Sequence, residues 1–187
     1  MQARRKIAVA GATGRVGRHV VDVLKTGGHD VVAMSRSSGV DVVTGDGLAE
    51  ALAGVECIID VATGPSPDQE AATQFFTTAA RNLHEAGQRA GVRRMVVVSI
   101  IGTDRFTAGY GAAKLAHEQA MLSGPLPVRI LRAAQFHQDR RRGARRPGHR
   151  PRMGGRTGIL RGIDLGDRRS AGGKPCRHGD TARGPAR

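Results

Sequence analysis

Short apolar runs alternate, up to about residue 137, with longer stretches in which apolar residues recur every three or four positions. The runs predict strands at Lys6-Ile-Ala-Val-Ala10, Asp30-Val-Val-Ala-Met34, Val40 to Val43, Cys57-Ile-Ile-Asp-Val-Ala62, Arg94-Met-Val-Val-Val-Ser99 and Val128-Arg-Ile-Leu-Arg132. Near-continuous apolar character, without a polar alternate, is what a strand covered on both faces requires. The periodic stretches predict helices at Arg18 to Thr26, about Asp68 to Ala90 and about Tyr110 to Leu122, with a helical turn from Gly45-Asp46-Gly47 through Ala53. Thr63-Gly-Pro-Ser-Pro67 is a loop and Gly91 closes the long helix. Strands alternating with helices predict an α/β fold, a doubly wound parallel sheet of Rossmann type with strand order 3-2-1-4-5-6.

Composition changes this picture only past His137. At 187 residues the chain is long enough for one well-cored domain. The net charge of +14 suggests a nucleic-acid ligand until it is mapped along the chain. Residues 1–137 hold 15 Lys+Arg against 12 Asp+Glu, whereas residues 138–187 hold 15 against 4, with 11 glycines, 4 prolines and no aromatic. Such a tail cannot bury enough apolar surface to offset its chain entropy. The expected division is therefore a Rossmann domain at 1–137 and an Arg/Gly-rich tail of low order at 138–187.

No apolar run reaches membrane-spanning length, and the basic N-terminus runs straight into the first strand, so a secretory signal is disfavoured and the cytoplasm is expected. Cys57 and Cys176 lie far apart without metal-type spacing; unpaired thiols and no metal site are expected.

The chain is organised around Gly11-Ala-Thr-Gly14-Arg-Val-Gly17, between the first strand and the first helix. A glycine-rich turn there places free amides and the positive end of the helix dipole where a dinucleotide pyrophosphate binds. Gly11 permits the tight turn, Gly14 lets backbone approach phosphate, and Gly17 lets the helix pack closely on the sheet. At the end of the second strand Ser35 and Arg36 stand where a carboxylate would accept the ribose hydroxyls of NAD, and Arg15 adds a second positive charge. This predicts NADP, with NAD as the alternative. Asp46 is either an adenine contact or a turn residue between two glycines. Tyr110 and Lys114 are spaced i, i+4 on one helical face, where an ammonium lowers the pKa of a phenol and prepares it for proton transfer at a carbonyl. Ser99, at the carboxyl end of the fifth predicted strand, is placed to hold a substrate carbonyl.

The glycine motif, the Gly45-Asp46 turn, the stretch from Asn82-Leu83 through Ala90-Gly-Val-Arg-Arg-Met-Val-Val-Val-Ser99, and Tyr110-x-x-x-Lys114 together resemble the short-chain dehydrogenase/reductase superfamily. The spacing is similar to its extended and atypical branch, with its NmrA-like and nucleoside-diphosphate-sugar-epimerase-like proteins, over about residues 5–137. The resemblance implies a dinucleotide loop at Gly11, Thr13, Gly14, Arg15, Val16 and Gly17, with Asp46 near adenine and Ala62 and Thr63 near the nicotinamide ribose. It implies Ser99, Tyr110 and Lys114 as the catalytic group, Lys114 also touching that ribose, and a homodimer formed through the helices that follow the fourth and fifth predicted strands. The asparagine that completes the proton relay in many members would fall near Phe75 or Phe76, where there is none, and Asn82 lies a turn or more later.

The expected function is NADP-preferring hydride transfer to or from a carbonyl or quinone-like small molecule. A nonenzymatic NAD(P) sensor of NmrA-like type is the alternative. For residues 138–187 three explanations stand: an out-of-frame translation of a GC-rich gene, a basic arm that binds nucleic acid by displacing counterions, and a small lid around Gly158-Ile-Leu-Arg-Gly-Ile-Asp-Leu165.

Overall fold

A computed structural model describes residues 3–134. The strands β1 (Lys6–Ala10), β2 (Asp30–Met34), β3 (Cys57–Asp60), β4 (Arg94–Ile100) and β5 (Val128–Ala133) form one sheet in the order β2-β1-β3-β4-β5. Every neighbouring pair is parallel, with Ile7 opposite both Val31 and Cys57, and Val97 opposite both Asp60 and Ile130. Parallel neighbours need crossovers, supplied by α1 (Arg15–Thr26), α2 (Leu48–Ala51), α3 (Gln69–Arg89) and α4 (Gly109–Leu122).

Each long helix follows from its apolar spacing. Helix α1 buries Gly17, Val20, Val21 and Leu24, one stripe at helical period, and α3 buries Ala72, Phe76, Ala79, Ala80, Leu83, His84 and Gly87. Asp68 starts α3 by accepting the amides of Glu70 and Ala71 at 3.0 and 3.1 Å. Strand β3 is buried at all four positions, and Ile58, Met95 and Val97 meet Leu48, Leu83 and Met121 in the main core. The buried Cys57 thiol is pushed up to about 11 by burial, which makes it an unreactive core group.

The doubly wound parallel class is as predicted, but the third predicted strand is not formed. Residues Val40 to Val43 lie in a turn. Gly39 and Gly45 adopt left-handed backbone on either side, the Asp41 amide donates to the Asp46 carbonyl at 3.0 Å, and the Gly45 amide returns to the Asp41 carbonyl at 2.9 Å. Asn82 of α3 donates to the Val42 and Val43 carbonyls at 3.0 and 2.7 Å. With these groups satisfied locally and from α3, little remains to form a ladder with β2. The apolar run that suggests a strand packs Val40 and Val42 into the core instead. Five strands therefore stand where six were expected among the described residues, in the same relative order. The expected division at residue 137, the tail at 138–187 and Cys176 lie outside the described residues.

Strand order reverses between β1 and β3, and a crevice opens there beyond their carboxyl ends.

Candidate cofactor cleft and catalytic group

The turn leaving β1 is held by main chain on both sides. Gly11 has φ +78°, and a Cβ there would come within 2.7 Å of Ala62 Cα, so both conformation and space demand glycine. The Gly11 and Ala12 amides donate to the Met34 carbonyl at 3.1 and 3.2 Å, tying the turn to the end of β2. A Cβ on Gly17 would fall on the Gly11 carbonyl oxygen and 2.8 Å from Ala12 Cα. Gly17 thus admits close packing of α1 on the turn itself, where the sequence suggested the sheet. Gly14 caps α1 with no side-chain hydrogen bond, and the first turn of the helix carries no acidic residue. The amides of Arg15 and Val16 begin a helix whose positive end has no anion of its own.

A cleft of about 630 Å³ lies against this turn, lined among others by Gly11, Thr13, Gly14, Ser35, Arg36, Ala62 and Thr63. Seven of the residues expected to hold a cofactor are thereby gathered on one surface. Arg15, Val16 and Gly17, at the start of α1, are not in the lining. After β2, Ser35 leads into a short 3-10 turn, Arg36–Ser38, where Ser38 Oγ donates to the Ala33 carbonyl at 3.1 Å and the exposed Arg36 stays free of any ion pair among the described residues.

Asp46 is not in this lining. It borders a neighbouring depression with Asn82, Glu85 and Arg89, and its carboxylate accepts from Thr44 Oγ1 at 2.7 Å. Asp41, Val42 and Val43 line the cleft where Asp46 was expected. Asp41 Oδ1 is engaged by the Val43 amide at 2.7 Å, so this carboxylate serves its own turn.

Ser99, Tyr110 and Lys114 lie outside the lining of the cleft. Tyr110 and Lys114 do share one face of α4, and both meet Phe76 of α3: the Tyr110 ring edge-on at 5.8 Å and Lys114 Nζ above the ring centroid at 4.5 Å. Phe76 thus occupies the region where the relay asparagine is missing. The Lys114 ammonium is buried, donates to the Val98 carbonyl at 2.9 Å, and lies 3.0 Å from His117 Nδ1. Burial lowers its pKa, while the carboxylates of Asp60 and Glu118 oppose that shift.

Burial pushes the Tyr110 phenol above its ordinary value, opposite to the lowering predicted from a neighbouring ammonium. The ammonium is turned to the Val98 carbonyl and His117, so the burial of the phenol prevails. Ser99 is buried at the end of β4, with Oγ 3.4 Å from Thr103 Oγ1.

Two polar groups on the buried face of α4 were missed. His117 Nε2 lies 3.0 Å from Asp60 Oδ2, off the line of an ideal hydrogen bond, with the imidazole stacked on Phe76 at 4.5 Å. Glu118 takes Arg132 of β5 at 3.1 and 2.7 Å; burial works to raise its carboxyl, but hydrogen bonds from Arg132 and Ser99 hold it below the usual range. Positions i+3 and i+4 from Lys114 were the available signal for both.

A family model described as NAD(P)H-binding matches residues 11–159, from the glycine turn through β5 and beyond. The chain belongs to the NAD(P)H-binding family. The geometry suits such a cofactor: the Gly11 turn, the uncapped start of α1 and the cleft beside them form a cradle that side chains would fill. Among similar proteins of known activity, this family member is 32% identical over 145 residues to ceramide reductase of Caulobacter vibrioides, covering 70% of this chain and 46% of the relative. It is 30% identical over 110 residues to the photosystem II assembly factor Ycf39 of Synechocystis, covering 51% and 34%. The chain thus spans less than half the length of either relative. A solved short-chain dehydrogenase/reductase superfamily protein of Agrobacterium tumefaciens with bound NAD aligns with TM-score 0.53 and 30% identity, covering 68% of this chain and 48% of that one. The NAD(P)H-binding chain thus has a structural neighbour in the short-chain dehydrogenase/reductase superfamily and shares its oxidoreductase-type Rossmann fold. No helix among the described residues is long and apolar enough to cross a membrane.

Proposed function

We propose that the protein is an NADP(H)-preferring oxidoreductase acting on a carbonyl or quinone-like small molecule. The observation that carries this is the cleft itself, whose lining holds both the glycine turn before an uncapped helix start and Arg36. The first amides of α1 receive the diphosphate, and the adenosine lies toward Arg36 at the end of β2. Arg36 and Ser35 receive a 2′-phosphate, since the only carboxylate in the lining, Asp41, is turned to its own backbone. The bound nicotinamide supplies or accepts the hydride. Tyr110 gives the accompanying proton at its phenol oxygen, or takes it in the reverse direction, Ser99 orients the substrate oxygen, and Lys114 would hold the nicotinamide ribose.

Calorimetric titration with NADPH and NADH tests the cofactor half, with NADPH expected to bind more tightly. Arg36→Ala is expected to weaken NADPH on the order of tenfold, about 1.4 kcal/mol, with little change for NADH. Absence of heat with both coenzymes refutes the assignment. A second function, nonenzymatic sensing of the NAD(P) pool, is favoured by one observation: the Tyr110 phenol is raised by burial and has no hydrogen bond to Lys114 among the described residues. Tyr110→Phe separates the two, because coenzyme affinity persists in either case and only an enzyme loses turnover, by roughly a hundredfold or more.

A further inference from the structure

Helix α4 buries Ala113, Lys114, His117, Glu118 and Met121, so three of its five buried positions are ionisable. Interiors take such groups only when they are paired. Glu118 is answered by Arg132. His117 lies beside Asp60, the last residue of β3, and Lys114 is bonded to His117 within reach of the same charge. We propose that Asp60 and His117 form a positioning pair for Lys114, fixing the direction of its ammonium and keeping it charged outside the lining of the cofactor cleft, which Asp60 reaches through Ala62. The proposal rests on the NAD(P) assignment of that cleft.

Each contact constrains the next. Asp60 Oδ1 accepts the Ala62 amide at 2.9 Å, and Oδ2 lies 3.0 Å from His117 Nε2. Across the ring, Nδ1 lies 3.0 Å from Lys114 Nζ. An ammonium only donates, so Nδ1 presents its lone pair and the ring proton sits on Nε2, facing the carboxylate. The stacked Phe76 ring holds the imidazole plane. Two N–H groups of Lys114 are thus committed, to His117 and to the Val98 carbonyl, which leaves the third for a cofactor hydroxyl. Ala62 lines the cleft, so one carboxylate anchors both the wall that meets the cofactor and the lysine that would hold it.

The groups around the ammonium set its pH dependence. Asp60 faces it from β3, His117, Glu118 and Tyr110 share its helix, β4 offers the Val98 carbonyl, α3 offers the Phe76 ring, and Arg132 of β5 acts through Glu118. Removing the Asp60 charge leaves burial less opposed, so Lys114 loses its proton at lower pH.

The full chain and its Asp60→Asn, His117→Leu and His117→Gln variants provide the test. In the coenzyme-free protein, 15N NMR of the His117 ring is expected to show a protonated Nε2 and an unprotonated Nδ1. NADPH affinity measured against pH is expected to fall on the alkaline side, as Lys114 loses its proton. In Asp60→Asn and His117→Leu that fall moves to lower pH by about one unit, and neutral-pH affinity drops roughly tenfold. His117→Gln keeps an acceptor toward Lys114 and a donor toward Asp60, and is expected to recover most of the affinity. A purely structural role would lower the melting temperature without moving the alkaline fall. A proton on Nδ1, or an unmoved fall in folded variants, overturns the proposal. If Asp60→Asn does not fold, the two His117 variants and the ring tautomer decide. If the wild-type chain binds no coenzyme, the cofactor assignment fails, and the ring tautomer still judges the positioning pair.

Discussion

Gly17 carries the tightest steric constraint in the cofactor turn, because a Cβ there meets only backbone, the Gly11 carbonyl and Ala12 Cα. Backbone cannot swing aside as a flexible side chain would. Gly17→Ala is therefore expected to destabilise the protein by about 1–3 kcal/mol and to weaken coenzyme binding, checked by thermal melting and calorimetry. The glycines were legible in the sequence because their constraint is local, set by a turn and a helix start within seven residues. Which aspartate of that turn borders the cleft was not legible, because Asp41 and Asp46 share the turn and α3 helps fix its shape through the hydrogen bonds of Asn82 to Val42 and Val43. The surroundings of Lys114 were half legible. His117 and Glu118 follow from helical spacing, but Asp60 comes from another strand and no local pattern points to it.

At the scale of elements, apolar periodicity located every long helix and five of the six predicted strands. It failed at Val40 to Val43, where a short apolar run serves the core from within a turn; four residues cannot distinguish the two. Helix α3 depends on its cap. Asp68→Ala leaves the Glu70 and Ala71 amides without their acceptor and is expected to cost about 1 kcal/mol, read as a shift in the denaturation midpoint.

The same helix is joined to the end of α4 by His84, whose Nε2 meets the Met121 carbonyl at 2.9 Å and whose Nδ1 accepts the Leu126 amide at 3.3 Å. That pairing needs the neutral ring. Burial lowers the His84 pKa below its ordinary 6.5, although the Met121 carbonyl works the other way. A lowered folded-state pKa means that its contribution is fully present above about pH 6.5 and is lost as pH falls through the folded value. Denaturation midpoints are expected to drop between pH 7 and pH 5, and His84→Gln is expected to flatten part of that drop.

Across the whole molecule, the cleft draws on the turn after β1, the end of β2 and the loop after β3. A ligand bridging all three opposes their separation. NADPH at a hundred times its Kd is expected to add about 2.7 kcal/mol to stability, a rise of several degrees in Tm that disappears if binding is lost. Sheet order was legible at this scale because right-handed crossovers leave few topologies once strands and helices alternate.

Gly11 and Ala62 meet main chain to main chain, with no side chain between the turn after β1 and the loop after β3. The gauge of the crevice at that point is thus set by bond lengths and peptide geometry, and not by the volume of any residue. Evolution can exchange the groups along the walls, and with them the preferred coenzyme or substrate, while the gap that admits the dinucleotide keeps its width.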